Sequence, residues 1–140
     1  MKKVLFLCTG NSCRSQMAEG FLRHMASDKF QVFSAGVKPT NLNPYAVKVM
    51  AEVGIDISSH QSKSVDKFLN QKFDFVITVC DNSKQTCPLF SGQHQKIHWD
   101  IEDPADVKGS EEEKLIFFRK VRDKIRIKCQ GIVNNVEGFI

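Results

Sequence analysis

The chain has 140 residues, of which 41% are hydrophobic and 26% are charged. This length suits one domain with a buried core, and eleven phenylalanines argue against intrinsic disorder. A formal charge of +4 is compatible with a small anionic ligand but is too small to indicate nucleic-acid binding. Because no apolar run reaches about 18 residues and none follows Met1 at signal-peptide length, we expect a cytoplasmic protein without a membrane span.

Strand and helix patterns alternate along the chain. Strands are predicted at 4–7, 31–34, 73–79 and 97–99, with helical spacing after Arg14, from Pro44 to Gly54, over 64–69 and after Ser110. This alternation predicts βαβ units, and therefore one α/β domain over residues 1–140 with a parallel sheet. The polar segment 81–95 lacks periodicity and is predicted to be a long loop.

The last predicted helix has the clearest local signals. Ser110 precedes three glutamates, and Glu113 completes a capping box with it. Apolar residues then form one stripe along the helix: Phe117, Phe118, Val121, Ile125, Cys129, Ile132 and Val133. We therefore expect Cys129 to be a core residue.

Five cysteines occur, at positions 8, 13, 80, 87 and 129. An odd number without an export signal argues against a framework of structural disulfides. Their spacings do not match those of zinc sites, so no metal is expected. The cysteines are then either core residues or residues with chemistry.

The strongest motif is Cys-Thr-Gly-Asn-Ser-Cys-Arg-Ser, residues 8–15, between the first strand and the first helix. Ligands of such sheets bind beyond the strand ends, where a nest of backbone N–H groups binds a tetrahedral oxyanion and favours a thiolate at Cys8. Arg14 would hold two oxyanion oxygens, Ser15 would bind the sulfur, and Asn11 would adopt a left-handed conformation. The predicted oxyanion-binding loop comprises Thr9, Gly10, Asn11, Ser12, Cys13 and Arg14.

Cys13 is expected to be structural, with its side chain pointing away from the ligand. The alternative for the whole motif is a buried Cys8 followed by an ordinary glycine turn.

The Cys-x5-Arg-Ser motif resembles the signature of the low-molecular-weight protein tyrosine phosphatases and of the arsenate reductases that share their fold. The similarity extends to residues 16–20, 34–36 and 53–58 and to Asp103-Pro104. It implies a single-domain, three-layer α/β fold with a four-stranded parallel sheet flanked by helices. Two enzymatic activities remain possible: arsenate reduction, or phosphate-ester hydrolysis through a Cys8 phosphoenzyme.

Cys80 and Cys87 favour the reductase. Cys80 ends the third predicted strand, at the sheet edge of Cys8, whereas a phosphatase needs only one nucleophilic cysteine. The segments around both residues are similar to those of thioredoxin-coupled arsenate reductases. The resemblance implies that Cys8 attacks arsenate, that a Cys8–Cys80 disulfide forms as arsenite leaves, and that thioredoxin reduces a later Cys80–Cys87 disulfide. The alternative is that both are inert thiols.

Asp103, before Pro104, is the predicted general acid that protonates the oxygen leaving arsenate. Its alternative role is to form an Asp-Pro turn. The nearby carboxylates of Asp100, Glu102 and Asp106 rank below it.

A potassium site of some thioredoxin-coupled relatives matches Asn11, Glu19 and Ser34 here. The remaining ligand in those proteins is an aspartate after the residue that matches Ser62, and this chain has Lys63 instead. We expect Lys63 to pair with Glu19 in place of the ion, so that no cofactor is needed. The alternative is a solvated lysine.

The leading hypothesis is therefore an arsenate reductase, with arsenate and thioredoxin as partners and a monomeric state. Glutaredoxin or a small thiol remains an alternative reductant. Against the phosphatase alternative, Asp103-Pro104 is followed directly by Ala105-Asp106 rather than by an aromatic residue, and Tyr45 and Trp99 are the only Tyr and Trp. A third possibility is a non-catalytic redox or metalloid sensor, in which Arg14 and Asp103 would be superfluous.

Overall fold

The fold is a parallel sheet with its main helices on one face. The computed structural model describes residues 1–80 and 95–134, with Cys80 described by its backbone alone. The four strands are β1 (Lys2–Cys8), β2 (Phe30–Gly36), β3 (Phe75–Cys80) and β4 (Gln95–Asp100). All pairs are parallel, in the order β2-β1-β3-β4. The predicted α/β class and the four-stranded parallel sheet are confirmed.

Three α-helices lie in the described ranges, and two of them begin at a local capping signal. They are α1 (Arg14–Ala26), α2 (Pro44–Ala51) and α3 (Glu111–Asn134), with short 3-10 helices at Val65–Phe68 and Pro104–Asp106. The side chain of Asn43 accepts a hydrogen bond from the Tyr45 N–H at 2.8 Å, which caps α2. The predicted capping box of α3 is present, because the Glu113 N–H donates to Ser110 Oγ at 3.1 Å and the Ser110 N–H to Glu113 Oε1 at 3.4 Å.

Several predicted boundaries differ from the structure. Three strands, β1, β2 and β4, are longer than predicted, and the helix predicted over 64–69 is the 3-10 helix Val65–Phe68. α2 ends at Ala51 rather than near Gly54, whose φ of +80° places it in the turn after the helix. β3 covers Phe75–Cys80 rather than 73–79, and just before it the N–H of Asp74 binds the carbonyl of Lys3 in β1, at 3.0 Å.

Alternate residues of β1 face two hydrophobic clusters. Val4 and Phe6 pack with the buried faces of α1, α2 and α3, whereas Leu5 and Leu7 pack with a smaller cluster around the first 3-10 helix. Edge-to-face contacts between three phenylalanine rings hold this second cluster: Phe33, Phe68 and Phe73. The predicted stripe of α3 faces the larger cluster, and Cys129 is fully buried there, as expected.

The sheet order brings the chemically important strand ends together. β1 and β3 are neighbours, with Leu7 opposite Thr78, so Cys8 and the backbone of Cys80 end their strands at one edge. Cys80 pairs with Asp100 on the other side. The predicted loop 81–95, including Cys87, lies outside the described residues except for Gln95, which opens β4. Within the described ranges, no helix combines the length and apolar character that crossing a membrane requires.

The two isoleucines at 125 and 127 test the packing of α3. Ile125 is completely buried and Ile127 is 68% exposed on the same helix. Ile125→Ala should lower the free energy of unfolding by about 2–5 kcal/mol, because it leaves a cavity in the core. The matched control Ile127→Ala should change it by less than about 0.5 kcal/mol. Urea denaturation followed by circular dichroism measures both, and equal losses would contradict the described packing.

Candidate active site

The loop of residues 9–14, here the anion loop, has its carbonyl groups bound from outside. Backbone N–H groups of the segment after β2 donate to them: Lys38 to Thr9 at 2.9 Å, Thr40 to Gly10 at 3.0 Å, and Asn43 to Ser12 at 2.9 Å. The C=O and N–H of a trans peptide point in opposite directions. The amides of the anion loop therefore face inward, as the nest prediction requires.

Asn11 turns the anion loop. Its φ is +50°, which confirms the predicted left-handed conformation. Its backbone carbonyl accepts hydrogen bonds from Gln16 Nε2 (3.1 Å) and Ser62 Oγ (2.8 Å). Its side-chain oxygen accepts from Gln16 Nε2 (3.0 Å) and from the Lys63 N–H (2.9 Å). These contacts fix a conformation that most side chains disfavour.

Cys8 lies at the base of the anion loop and is only 2% exposed. Its sulfur accepts the N–H of Asn11 at 3.1 Å and lies 2.8 Å from Ser15 Oγ. Because Asn11 Nδ2 donates to that same hydroxyl oxygen, at 2.7 Å, the Ser15 proton is available to the sulfur. Two donors directed at one sulfur suit a nucleophilic thiolate.

Arg14 and Asp103 meet beside the cysteine, although 88 residues separate them in the chain. Arg14 is buried, and its guanidinium donates to the Ile101 carbonyl at 2.9 Å and lies 3.5 Å from Asp103 Oδ2. Asp103 also accepts the N–H of Ala105 at 3.0 Å, so the predicted turn and the predicted position at the site are both present. Glu102 instead pairs with Lys124.

A cavity of about 370 Å³ opens in front of Cys8. Its lining comes from the anion loop, from the segment after β2 and from the segment after β4: Cys8, Thr9, Gly10, Ser12, Cys13, Arg14, Lys38, Thr40, Asp103 and Ala105. Sequence reasoning did not include Lys38 or Thr40. The only signal that could have found them is Gly36, which ends β2 at the edge where Cys8 ends β1.

The side chain of Cys13 was expected to point away from the ligand, and this prediction is wrong, because the side chain faces the cavity. Its sulfur lies 3.6 Å from Asp103 Oδ1 and lines the cavity wall, because the segment after β4 packs directly against the anion loop. Burial, and secondarily the Asp103 carboxylate, raises the pKa of this thiol to about 12. Cys13 is therefore protonated and uncharged at neutral pH.

Glu19 forms a second buried polar cluster, below the anion loop. Its carboxylate accepts from Ser34 Oγ at 2.7 Å and lies 3.1 Å from Arg23, 3.4 Å from His60 Nδ1 and 3.8 Å from Lys63 Nζ. The predicted pairing of Lys63 with Glu19 is confirmed. Burial lowers the pKa of Lys63, an effect that Glu19 opposes. Sequence reasoning missed Arg23 and His60.

The structure shows where most of the residues predicted for the site lie. Cys8, Arg14, Ser15 and Asp103 come together around one cavity. The backbone of Cys80 reaches the same sheet edge, and Cys87 lies outside the described part of the chain. Across residues 1–80 and 95–134, no group of three or more His, Cys, Asp or Glu side chains could hold a metal ion.

The low molecular weight phosphotyrosine protein phosphatase family matches residues 3–138. The chain belongs to this family. It is 48% identical to an arsenate reductase of Halalkalibacterium halodurans, over 91% of this chain and 93% of that protein.

Solved structures of arsenate reductases agree with the described fold. One of an arsenate reductase in the phosphate binding state gives a TM-score of 0.82 at 36% identity, covering 96% of this chain and 98% of that one. A thioredoxin-dependent arsenate reductase of Corynebacterium glutamicum gives 0.67 at 26% identity, covering 96% of this chain and 63% of that one. The resemblance read from the sequence is confirmed.

Gly36 tests how the anion loop is held. A Cβ at this position would lie 2.5 Å from the Thr9 carbonyl oxygen and 2.9 Å from the Asn11 nitrogen. Gly36→Ala must therefore displace the loop backbone, and we expect phosphate affinity, measured by titration calorimetry, to fall at least about tenfold.

Gly131→Ala is the matched control, because a Cβ there meets no atom within 4 Å. It should keep phosphate affinity and stabilise α3 by about 0.5–1 kcal/mol. Unchanged phosphate binding in Gly36→Ala would contradict the close approach of β2 to the anion loop.

Proposed function

We propose that this protein reduces arsenate to arsenite by a three-cysteine relay of Cys8, Cys80 and Cys87, with thioredoxin as the reductant. The observation that carries the proposal is the position of Cys8 in an oxyanion cradle, on a strand next to the one that Cys80 ends. A phosphatase needs the cradle but has no use for the second thiol. The arsenate reductases to which the chain is similar support the same choice.

The first step is attack of the Cys8 thiolate on the arsenic atom. A sulfur–arsenic bond forms and one arsenic–oxygen bond breaks, with the oxygen leaving as water after Asp103 donates a proton. The inward amides of the anion loop and the Arg14 guanidinium hold the remaining oxygens. Since Arg14 is anchored on the Ile101 carbonyl, it needs little reorganisation to bind them.

The second step transfers two electrons. The thiolate of Cys80 attacks the sulfur of Cys8, the sulfur–arsenic bond breaks, and its electron pair reduces arsenic from the +5 to the +3 state. Arsenite leaves and a Cys8–Cys80 disulfide remains. Cys87 then attacks Cys80, which frees Cys8 and leaves a Cys80–Cys87 disulfide for the thioredoxin dithiol. Neighbouring parallel strands support the first exchange, because they start Cys8 and Cys80 from one sheet edge.

The proposal includes a cellular setting. A thioredoxin-coupled relay needs a reducing compartment, so we place the enzyme in the cytoplasm, acting as a monomer without a nucleic-acid or membrane partner. The similar arsenate reductase of Corynebacterium glutamicum is thioredoxin-dependent, which supports the choice of reductant.

Single cysteine variants test the relay. Cys8→Ser, Cys80→Ser and Cys87→Ser should each abolish arsenate-dependent NADPH consumption with thioredoxin and thioredoxin reductase, because each removes one exchange step. In Cys87→Ser, mass spectrometry should find a trapped Cys8–Cys80 disulfide.

Cys129→Ala is the control, since its thiol is buried in the core and its pKa is raised by that burial. It should retain turnover. Full activity of Cys80→Ser and Cys87→Ser would refute the relay. Hydrolysis of a phosphate ester through Cys8 alone would then favour the phosphatase.

The Glu19 cluster also argues that no potassium ion takes part. A cation bound there would lie against the ammonium of Lys63, and Arg23 already pairs with the other carboxylate oxygen. The residues present therefore do not fit a potassium ion, and we propose that Lys63 supplies the positive charge in its place.

Exchange of sodium for potassium tests this assignment. Turnover of the wild type should be the same in both salts, whereas Lys63→Asp should become faster in potassium because it restores a carboxylate beside Glu19. Lys67→Asp, an exposed lysine nearby, is the control and should show no preference. Clear potassium stimulation of the wild type would contradict the assignment.

A further inference from the structure

The cavity in front of Cys8 has two walls of opposite charge. One wall follows β4 and carries Asp103. The other follows β2 and carries Lys38 and Thr40, neither of which the proposed reaction steps use. Gly36 allows this second wall to approach, because its missing Cβ leaves room for the anion loop.

The backbone fixes the direction of the second wall. The N–H groups of Lys38 and Thr40 donate to the carbonyls of Thr9 and Gly10, at 2.9 and 3.0 Å. The side chains of Lys38 and Thr40 both line the cavity. Because these contacts use the backbone, substitution of the Lys38 side chain leaves them in place.

A charge count of the described lining singles out Lys38. Arg14 lies 3.5 Å from Asp103. Once Asp103 has donated its proton, its carboxylate offsets the charge of the Arg14 guanidinium. Cys13 is uncharged, and Cys8 must carry a negative charge in order to attack. An oxyanion such as arsenate or phosphate adds one to two negative charges near neutral pH. Among the described lining residues, the Lys38 ammonium is the cation left to balance them.

The size of the cavity indicates how Lys38 acts. Five heavy atoms of an oxyanion, at about 30 Å³ each if they are taken as water-sized, fill less than half of it. A cavity of about 370 Å³ therefore leaves room between the cradle and its walls. Lys38 is exposed, so its ammonium acts mainly through its charge across this space.

We propose that Lys38 determines the affinity of the site for charged oxyanions, as a specificity residue that attracts the substrate and balances its charge. The proposal deepens the proposed function and rests on it for the identity of the substrate. It also makes a claim about inorganic phosphate that does not depend on turnover.

The first test is phosphate binding by titration calorimetry, at low and high ionic strength. Lys38→Met should bind about tenfold more weakly than the wild type at low salt, and the difference should shrink as salt screens the charge. Lys38→Arg should restore binding, since it keeps the charge. Lys48→Met removes the same charge from an exposed position of α2, outside the cavity, and should bind phosphate as the wild type does.

The second test is steady-state arsenate reduction with thioredoxin. The loss in Lys38→Met should fall on KM more than on kcat, and Lys38→Arg should recover it. Wild-type affinity in Lys38→Met would overturn the proposal, as would an equal loss in Lys48→Met or no rescue by arginine. If the wild type fails to reduce arsenate while Lys38→Met still weakens phosphate binding, the proposed function fails and the role of Lys38 stands.

Discussion

The left-handed backbone of Asn11 is the constraint on which the site depends. A single such residue costs about 1–2 kcal/mol when it is not glycine, and here the surrounding hydrogen bonds from Gln16, Ser62 and the Lys63 amide hold it in place. The turn sends the Asn11 N–H to the sulfur of Cys8 and the loop carbonyls outward. Without it the chain would enter α1 without closing a nest, and no set of side chains could replace the inward amides.

The remaining elements act through this loop. The end of β4 fixes Arg14 from behind, because the Ile101 carbonyl and the Asp103 carboxylate both bind its guanidinium. The end of β2 fixes the outer side of the loop through backbone hydrogen bonds. The Glu19 cluster supports it from below, since the Lys63 backbone also binds Asn11. Three separate chain segments thus converge on one loop, and the sheet order determines which they are.

Local signals explain what the sequence could predict. The anion loop, the capping box at Ser110 and the α3 stripe are each encoded within a few neighbouring residues, and the structure confirms them. The nearness of Asp103 to Arg14 came from the family resemblance, because no local pattern reports a contact over 88 residues. The wall at Lys38 and the inward thiol of Cys13 were missed or misjudged, because tertiary packing of nonperiodic segments determines both. Neither segment has a hydrophobic period that would indicate its direction.

The backbone bonding of the segment after β2 has a consequence for how this fold can change. The N–H groups at 38, 40 and 43 hold the loop whatever side chains those residues carry, provided that none of them is proline. The cradle and the wall in front of it are therefore separable modules. Substitutions at 38 and 40 can change which anion the site prefers, while the backbone hydrogen bonds behind them keep Cys8 and its loop in place.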